Sequence, residues 1–478
     1  MRQNDDFEED KKKQHKREQW LLEAQAIFEQ EFEKDLGSID NPTQSGFVEL
    51  ARNGKDIWNT WREAYPEPEP NFSGIDFGSR PINFSGFHFP TVKDGRSCVV
   101  FDRANFGDRV FFRSAIFGDE ASFKNAIFGK SVNFDLAKFG DNTQFNSAKF
   151  GNWSTFSRAS FGDWTEFVDT TFGHYLKFEG ASFGLGVHFS GACFGNFSQF
   201  EGVQFSGYAD FSANTEIEAE AKTKSFYRIS FAGANFSGDT IFTGRQFLST
   251  TNFGPTRNPI ELQNSPSLPK GQPVHFHRAP NFHDCKLHQD TNFDYAEFTA
   301  PPTPEAARAY RTLKLAMEKL KATREEQRFF RLEMKAEHPT LKPGKRWLST
   351  LYSLFSDYGL SMFRPTAWLL SLSIFFGASY GVLADLCAAD QECAKSAWHG
   401  NVASVAERTT AVLKYTLASA APVPGLDKMQ TELRAPLFGQ HGWIAIASLT
   451  IEILHKIIAI ALTFLFALAL RNLFKMKS

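Results

Sequence analysis

From about residue 71 to 300, apolar and polar positions alternate, and phenylalanine marks the beat. Phe stands at 101, 112, 123, 134, 145, 156, 167, 178, 189, 200 and 211, a step of eleven. A second set runs from Phe106 through Phe117, Phe128, Phe139, Phe150 and Phe161 to Phe205, again in elevens, so the interleaved steps are five and six. A period held over so many units predicts a solenoid. Two residues before each second-set Phe stands a small residue, as in Ala104, Ala115, Ala126 and Ala148. Two before most first-set Phe stands a small or β-branched one, as in Val110, Ala121, Val132 and Thr143, with Leu176 larger. That period of two is strand-like, and it gives each short segment one large and one small inward side chain. Asn, Asp, Ser, Lys and Arg fill the outward positions. Glycine follows the second Phe (Gly107, Gly118, Gly129, Gly140, Gly151), which fits a corner of positive φ or room for the sixth residue. Two units make 22 residues, a four-sided coil with sides of five, six, five and six. Phe101, Phe123 and Phe145 then form one column; Phe112, Phe134 and Phe156 and the second set supply three more. Each buried ring removes ~150–250 Å² from water.

The clock slips around 90–97, at the charged insert 216–224 and in the Pro-, Asn- and Ser-rich stretch 254–274, then resumes at Phe282, Leu287, Phe293 and Phe298. About ten coils are expected. The Ala-x-Phe motif with polar spacers resembles the pentapeptide-repeat proteins, in a Phe-rich form with a sixth residue in alternate segments. The resemblance implies a mainly β solenoid, a right-handed quadrilateral β-helix, over 71–300. Disordered Phe-Gly tails are a rival only on composition, because their spacing is irregular and they lack alanines in register.

The flanks are helical in pattern. Residues 5–36 are highly charged, with Trp20, Leu21, Leu22, Ala24, Ile27, Phe28 and Phe32 apolar, and a turn follows at 37–42. A capping helix over 44–64 carries Phe47, Leu50, Ile57, Trp58 and Trp61, since an open solenoid end needs cover. Gly54, Trp58, Asn59, Trp61 and Arg62 resemble the cap that precedes many pentapeptide-repeat domains. Thr303-Pro304-Glu305 starts a helix expected to reach about His338, with Ala306, Tyr310, Leu313, Met317 and Leu320 on one side. The divisions are therefore 1–42, 43–70, 71–300, 301–340 and 341–478.

Within 341–478, residues 366–384 hold no charge over nineteen positions, close to a bilayer's hydrocarbon thickness. A second span is expected in 443–470. Counting back from Arg471 puts Glu452, His455 and Lys456 at its outer rim, with Glu452 and Lys456 one turn apart. Lys342, Lys345, Arg346 and Arg364 precede the first span and Arg471, Lys475 and Lys477 follow the second, whereas the 385–441 loop has five bases and six acids. Both ends and the solenoid are thus expected in the cytoplasm. Residues 346–363 read as an interfacial helix. The order helix, span, loop, span is similar to membrane-anchored pentapeptide-repeat proteins of bacteria, which implies an inner-membrane location.

Candidate chemistry is sparse. Residues 403–420 form an amphipathic helix with Val412, Leu413, Thr416 and Leu417 as the apolar side, broken at once by Pro422, Pro424 and Gly425. That layout matches two-span ion channels, without a Thr-Val-Gly-Tyr-Gly filter. Cys387 and Cys393 are disulfide candidates on the oxidising side. His275, His277, His283, Cys285 and His288 crowd one coil, but their spacing fits no structural zinc motif, so no metal or cofactor is expected. The formal charge of −2 excludes a strongly basic nucleic-acid binder, and 101–211 carries twelve acids and nine bases, a weak case for DNA mimicry. Five cysteines are too few for a disulfide scaffold, and the charged start reads as no signal peptide. With no nucleophile–base pair or phosphate loop in view, the expected function is a non-enzymatic, membrane-anchored scaffold for an unidentified protein partner. Self-association stays open, and the alternative is an oligomeric channel or sensor gated by the solenoid.

Overall fold

The computed structural model describes residues 2–29, 35–89, 99–213, 225–254, 273–397, 404–420 and 426–475. The expected irregularities at 90–97 and 216–224, and nearly all of 254–274, lie outside those residues. The chain divides into two compact units, Met1–Glu326 and Gln327–Ser478.

The first unit is a four-sided β-solenoid of about 8 turns. Its strands are two or three residues long and pair in parallel 22 residues apart, as Ser160 does with Ser182 and Phe161 with Phe183. The longest ladder has nine strands, from His88–Phe89 to Glu297–Phe298. Inside, the rings stack into four columns. One runs Phe72, Phe101, Phe123, Phe145, Phe167, Phe189, Phe211, Phe242, Phe282 in eight ring-to-ring steps. Others pass through Phe112, Phe134 and Phe156, through Phe106, Phe128 and Phe150, and through Phe117, Phe139 and Phe161. Within a column, centroids lie 4.5 to 5.4 Å apart; between columns, rings meet edge to face, as Phe112 and Phe134 do with Phe123. Both are the favoured aromatic geometries. The turns are fewer than ten because some cost more chain: Phe211 to Phe242 takes 31 residues and Phe242 to Phe282 takes 40.

The small inward positions are filled as the period demands, with Ala104, Ala126, Ala148 and Leu176 all buried. Several small residues that carry a hydroxyl donate to the glycine carbonyl three residues earlier: Thr143 to Gly140, Ser154 to Gly151, Ser198 to Gly195, while Thr170 donates to Phe145 O. That satisfies a polar atom which burial would otherwise penalise.

The glycines serve a different end from a positive-φ corner. Of the glycines after the second Phe only Gly107 takes a positive φ (+70°); the left-handed corners are held by residues such as Arg103, Arg109, Ser114, Glu120 and Asn125, with glycine at some of them, as in Gly180 and Gly191. Gly151 is needed for close approach: a Cβ there would lie 2.5 Å from the Gly129 carbonyl oxygen.

Both ends of the solenoid are covered. Helix α1 spans Arg2–Glu29, followed by a two-residue hairpin, Gly37–Ser38 with Asn41–Pro42. The single cap helix expected over 44–64 is two helices, α2 (Gln44–Arg52) and α3 (Lys55–Ala64), because Gly54 breaks the chain at φ +95°. Trp58 and Trp61 are fully buried, and Trp58 lies 5.3 Å from Phe89 and 5.9 Å from Phe72. Asn59 imitates the missing strand, donating to Gly86 O at 3.0 Å and accepting from His88 N at 2.8 Å. At the far end α4 (Pro304–Lys319) starts with Thr303 capping the Ala306 amide, and Tyr310 meets Phe298 edge to face. The helix expected to continue to 338 stops there, and α5 (Thr323–Glu337) restarts after Lys321, which takes φ +58°.

The second unit holds α6 (Pro343–Ser356), α7 (Phe363–Ala389), α8 (Gln391–Ala397), α9 (Val405–Ala420), α10 (Leu426–Phe438) and α11 (Trp443–Lys475). Two stretches, Phe363–Ala389 and Trp443–Asn472, are long and apolar enough to cross a membrane. Apolar side chains such as Leu370, Ile374, Ile457 and Phe464 point outward from them.

Candidate functional site

Two regions carry chemistry or recognition. The first is the outer surface of the solenoid. Its corners repeat every coil, so residues at the same corner form axial rows. In one row Trp153, Tyr175 and Phe197 stack outside the core, with centroids 5.8 and 5.0 Å apart, and the Arg228 guanidinium sits 5.1 Å over Phe197. All three rings remain exposed in part. On another corner Asp119 accepts from Asp141 N, Asp141 from Asp163 N, and Asp163 from Leu185 N, each 22 residues on. These carboxylates thus cap the neighbouring coil's amides.

Inside the same unit Arg245 occupies an alanine slot of the motif, in Arg245-Gln246-Phe247. It is fully buried, donates to the carbonyls of Phe211, Ala192 and Phe189, and lies 4.9 Å from the centre of the Phe226 ring. Burial brings it down to about 10. One column is broken here: Phe226 meets Phe194 edge to face instead of stacking. Sequence reasoning missed Arg245; its place in an alanine slot is the one mark it leaves in the sequence.

The histidines of the crowded coil go to separate partners. His275 Nδ1 lies 3.1 Å from Glu297, His277 Nε2 3.0 Å from Asn235, His283 3.3 Å from Asp284 and His288 3.5 Å from Asp290. Cys285 donates to Phe242 O at 2.9 Å, and burial pushes its thiol up to about 12. Among the described residues no three His, Cys, Asp or Glu side chains converge as a metal site.

The second region is the interior of the helical unit. Phe376, Tyr380 and Leu383 of α7, Tyr415 of α9, Phe438 of α10 and Ile444 of α11 share one core. The Tyr415 hydroxyl donates to Glu452 Oε2 at 2.5 Å, and Lys456 Nζ lies 3.1 Å from Glu452 Oε1. His455 is buried, stacked on Phe376 at 4.5 Å, with Nδ1 3.4 Å from the Tyr380 hydroxyl. Gln430 donates to Ser419 Oγ at 2.6 Å. Glu452 is therefore neutralised by Lys456 and bonded by Tyr415, which makes an ionisable group tolerable among apolar helices. The two tyrosines were not singled out by sequence, because a Tyr in an apolar run looks like any core aromatic.

Helix α9 turns a different side inward from the one its pattern suggests. Tyr415, Thr416 and Ser419 are buried, whereas Leu413 and Leu417 are 61% and 58% exposed. Thr416 rests against Gly377 of α7, where an added Cβ would lie 3.3 Å away. Polar and small residues inward with leucines outward is the reverse of a water-soluble amphipathic helix. Pro422, Pro424 and Gly425 lie outside the described residues. Cys387 and Cys393 are joined by a disulfide, with Cα atoms 5.2 Å apart, linking α7 to α8.

No family model, curated protein or solved structure matches this chain.

Proposed function

We propose that this chain is a membrane-anchored pentapeptide-repeat scaffold of a bacterial inner membrane. Its solenoid is displayed to the cytoplasm and binds a protein partner without catalysing a reaction. The observation that carries the reading is the pairing, in one chain, of a capped solenoid with a helical unit that has two helices of membrane length. A capped solenoid offers long regular faces for binding, as repeat proteins do. The Lys and Arg flanking the two long helices support a cytoplasmic solenoid. The Cys387–Cys393 disulfide, in the stretch of chain that joins the two long helices, supports an oxidising compartment on the other side.

The test is site-specific photocrosslinking in cells from Lys138, Lys149 and Trp153, which stand on three different rows of the solenoid. The reading expects one row to capture a single protein at constant stoichiometry. Adducts from no row, together with reproducible single-channel currents from the purified chain in planar bilayers, would replace the scaffold with an oligomeric channel.

A further inference from the structure

The first half of α6 is largely open. Residues 342–348 are all exposed. Trp347 and Leu348 are 65% and 63% open, and Leu354 on the next turns is also exposed. Lys342, Lys345 and Arg346 crowd the same end. No ion pair joins any of them to a described carboxylate; Arg346 reaches back to the Pro339 carbonyl. The first turn of α6 has no acid, and no side chain caps its amides. Three cations at the positive end of a helix dipole oppose the helix rather than support it. An arrangement that is unfavourable within the chain calls for an anion from outside.

The other end of α6 is firmly held. Asp357, which ends the helix in a left-handed conformation, lies 3.1 Å from Arg331 and 4.0 Å from Arg364. Asn472 of α11 donates to Gly359 O at 2.9 Å. Arg364 donates to Ser353 O at 2.9 Å, and Phe355 meets Trp368 of α7 edge to face. The free half of α6 is therefore fixed beside the start of the first long helix, where Phe363 is 81% exposed. A basic end, an exposed Trp and Leu, and an adjoining apolar helix together match a bilayer interface with negative headgroups.

We infer that Lys342, Lys345 and Arg346, with Trp347 and Leu348, form a docking surface for anionic phospholipid headgroups. The inference rests on the membrane-anchor reading and adds lipid selectivity to it. Each base near an anionic surface is worth about fivefold in binding, so three give on the order of a hundredfold. The attraction weakens as salt rises.

The experiment places the full chain in nanodiscs of phosphatidylcholine alone and in discs with about a third phosphatidylglycerol. Amide hydrogen exchange is followed over 342–356. Slower exchange by tenfold or more in the phosphatidylglycerol discs, abolished by Lys342→Gln/Lys345→Gln/Arg346→Gln and kept by Lys342→Arg/Lys345→Arg, supports the surface. Equal exchange in the two discs overturns it. So does the same protection from inorganic phosphate added to phosphatidylcholine discs, since the bilayer would then be unnecessary. Alkaline carbonate extraction of cell membranes separates the two readings. A chain that is stripped off has lost the anchor reading itself, and one that resists extraction yet ignores phosphatidylglycerol has lost only the lipid surface.

Discussion

Phe145 lies between Phe123 at 4.7 Å and Phe167 at 4.8 Å, with four further rings around it from the neighbouring columns. The stacked coils above and below leave little room for collapse, so Phe145→Ala leaves a cavity and is expected to cost about 3–5 kcal/mol, read by denaturant unfolding of the full chain. The ring positions from Phe101 to Phe211 were legible in the sequence, because a side chain that must point inward every coil leaves a strict period; Phe77, Phe84 and Phe226, where the period is irregular, were not. Arg245 was not, since one exception in a long array carries no period of its own. Cys285 gives a pH test. Its folded value, about 12, is above the ordinary 9.0, so the folded state holds the proton more tightly. The contribution is intact below pH 9 and is lost as pH rises from there through about 12. Wild type should therefore lose more stability than Cys285→Ala between neutral pH and pH 11, and native Cys285 should resist iodoacetamide at pH 8. Parallel pH curves for the two proteins would remove the thiol from the account.

The coil and the helix bounds were legible to different degrees. Glycine follows the second-set ring from Phe106 to Phe194, and the pattern left its reason open between positive φ and space. Close packing of successive backbones decides for space, because the left-handed corners tolerate Arg, Glu and Trp whose side chains point to solvent. Gly151→Ala should accordingly cost about 1–3 kcal/mol by overpacking, more than Ser147→Ala at a true left-handed corner; equal effects would favour the φ explanation. Helix breaks at Gly54 and Lys321 were invisible because the apolar pattern runs on through both. The face of α9 was misread because hydrophobic periodicity takes the leucine side as the inward one, whereas Tyr415, Thr416 and Ser419 face the core and Leu413 and Leu417 face outward. The disulfide between α7 and α8 closes a loop of about six residues, so its reduction is expected to lower the stability of the helical unit by about 2 kcal/mol. Thermal unfolding with and without reductant, compared with Cys387→Ser/Cys393→Ser, checks this.

At the level of the whole molecule, two units of opposite chemistry share one chain: a rod of stacked rings with polar faces, and a bundle whose outer surface is apolar. The outward Ile374, Ile457 and Phe464 support the proposed membrane anchor. The fold class was readable because both signals are periodic or continuous over many residues; the polar cluster around Glu452 was readable only as three ionisable residues, since its partners come from helices far apart in sequence. The most direct measurement is the labelling of a Ser147→Cys variant by a membrane-impermeant maleimide in sealed vesicles, after the chain has been shown to resist carbonate. Ser147 is exposed on the solenoid. Labelling in inside-out vesicles with none in right-side-out ones is the predicted result. Labelling from the outside, or extraction of the chain by carbonate, would contradict an anchored solenoid held on the cytoplasmic side.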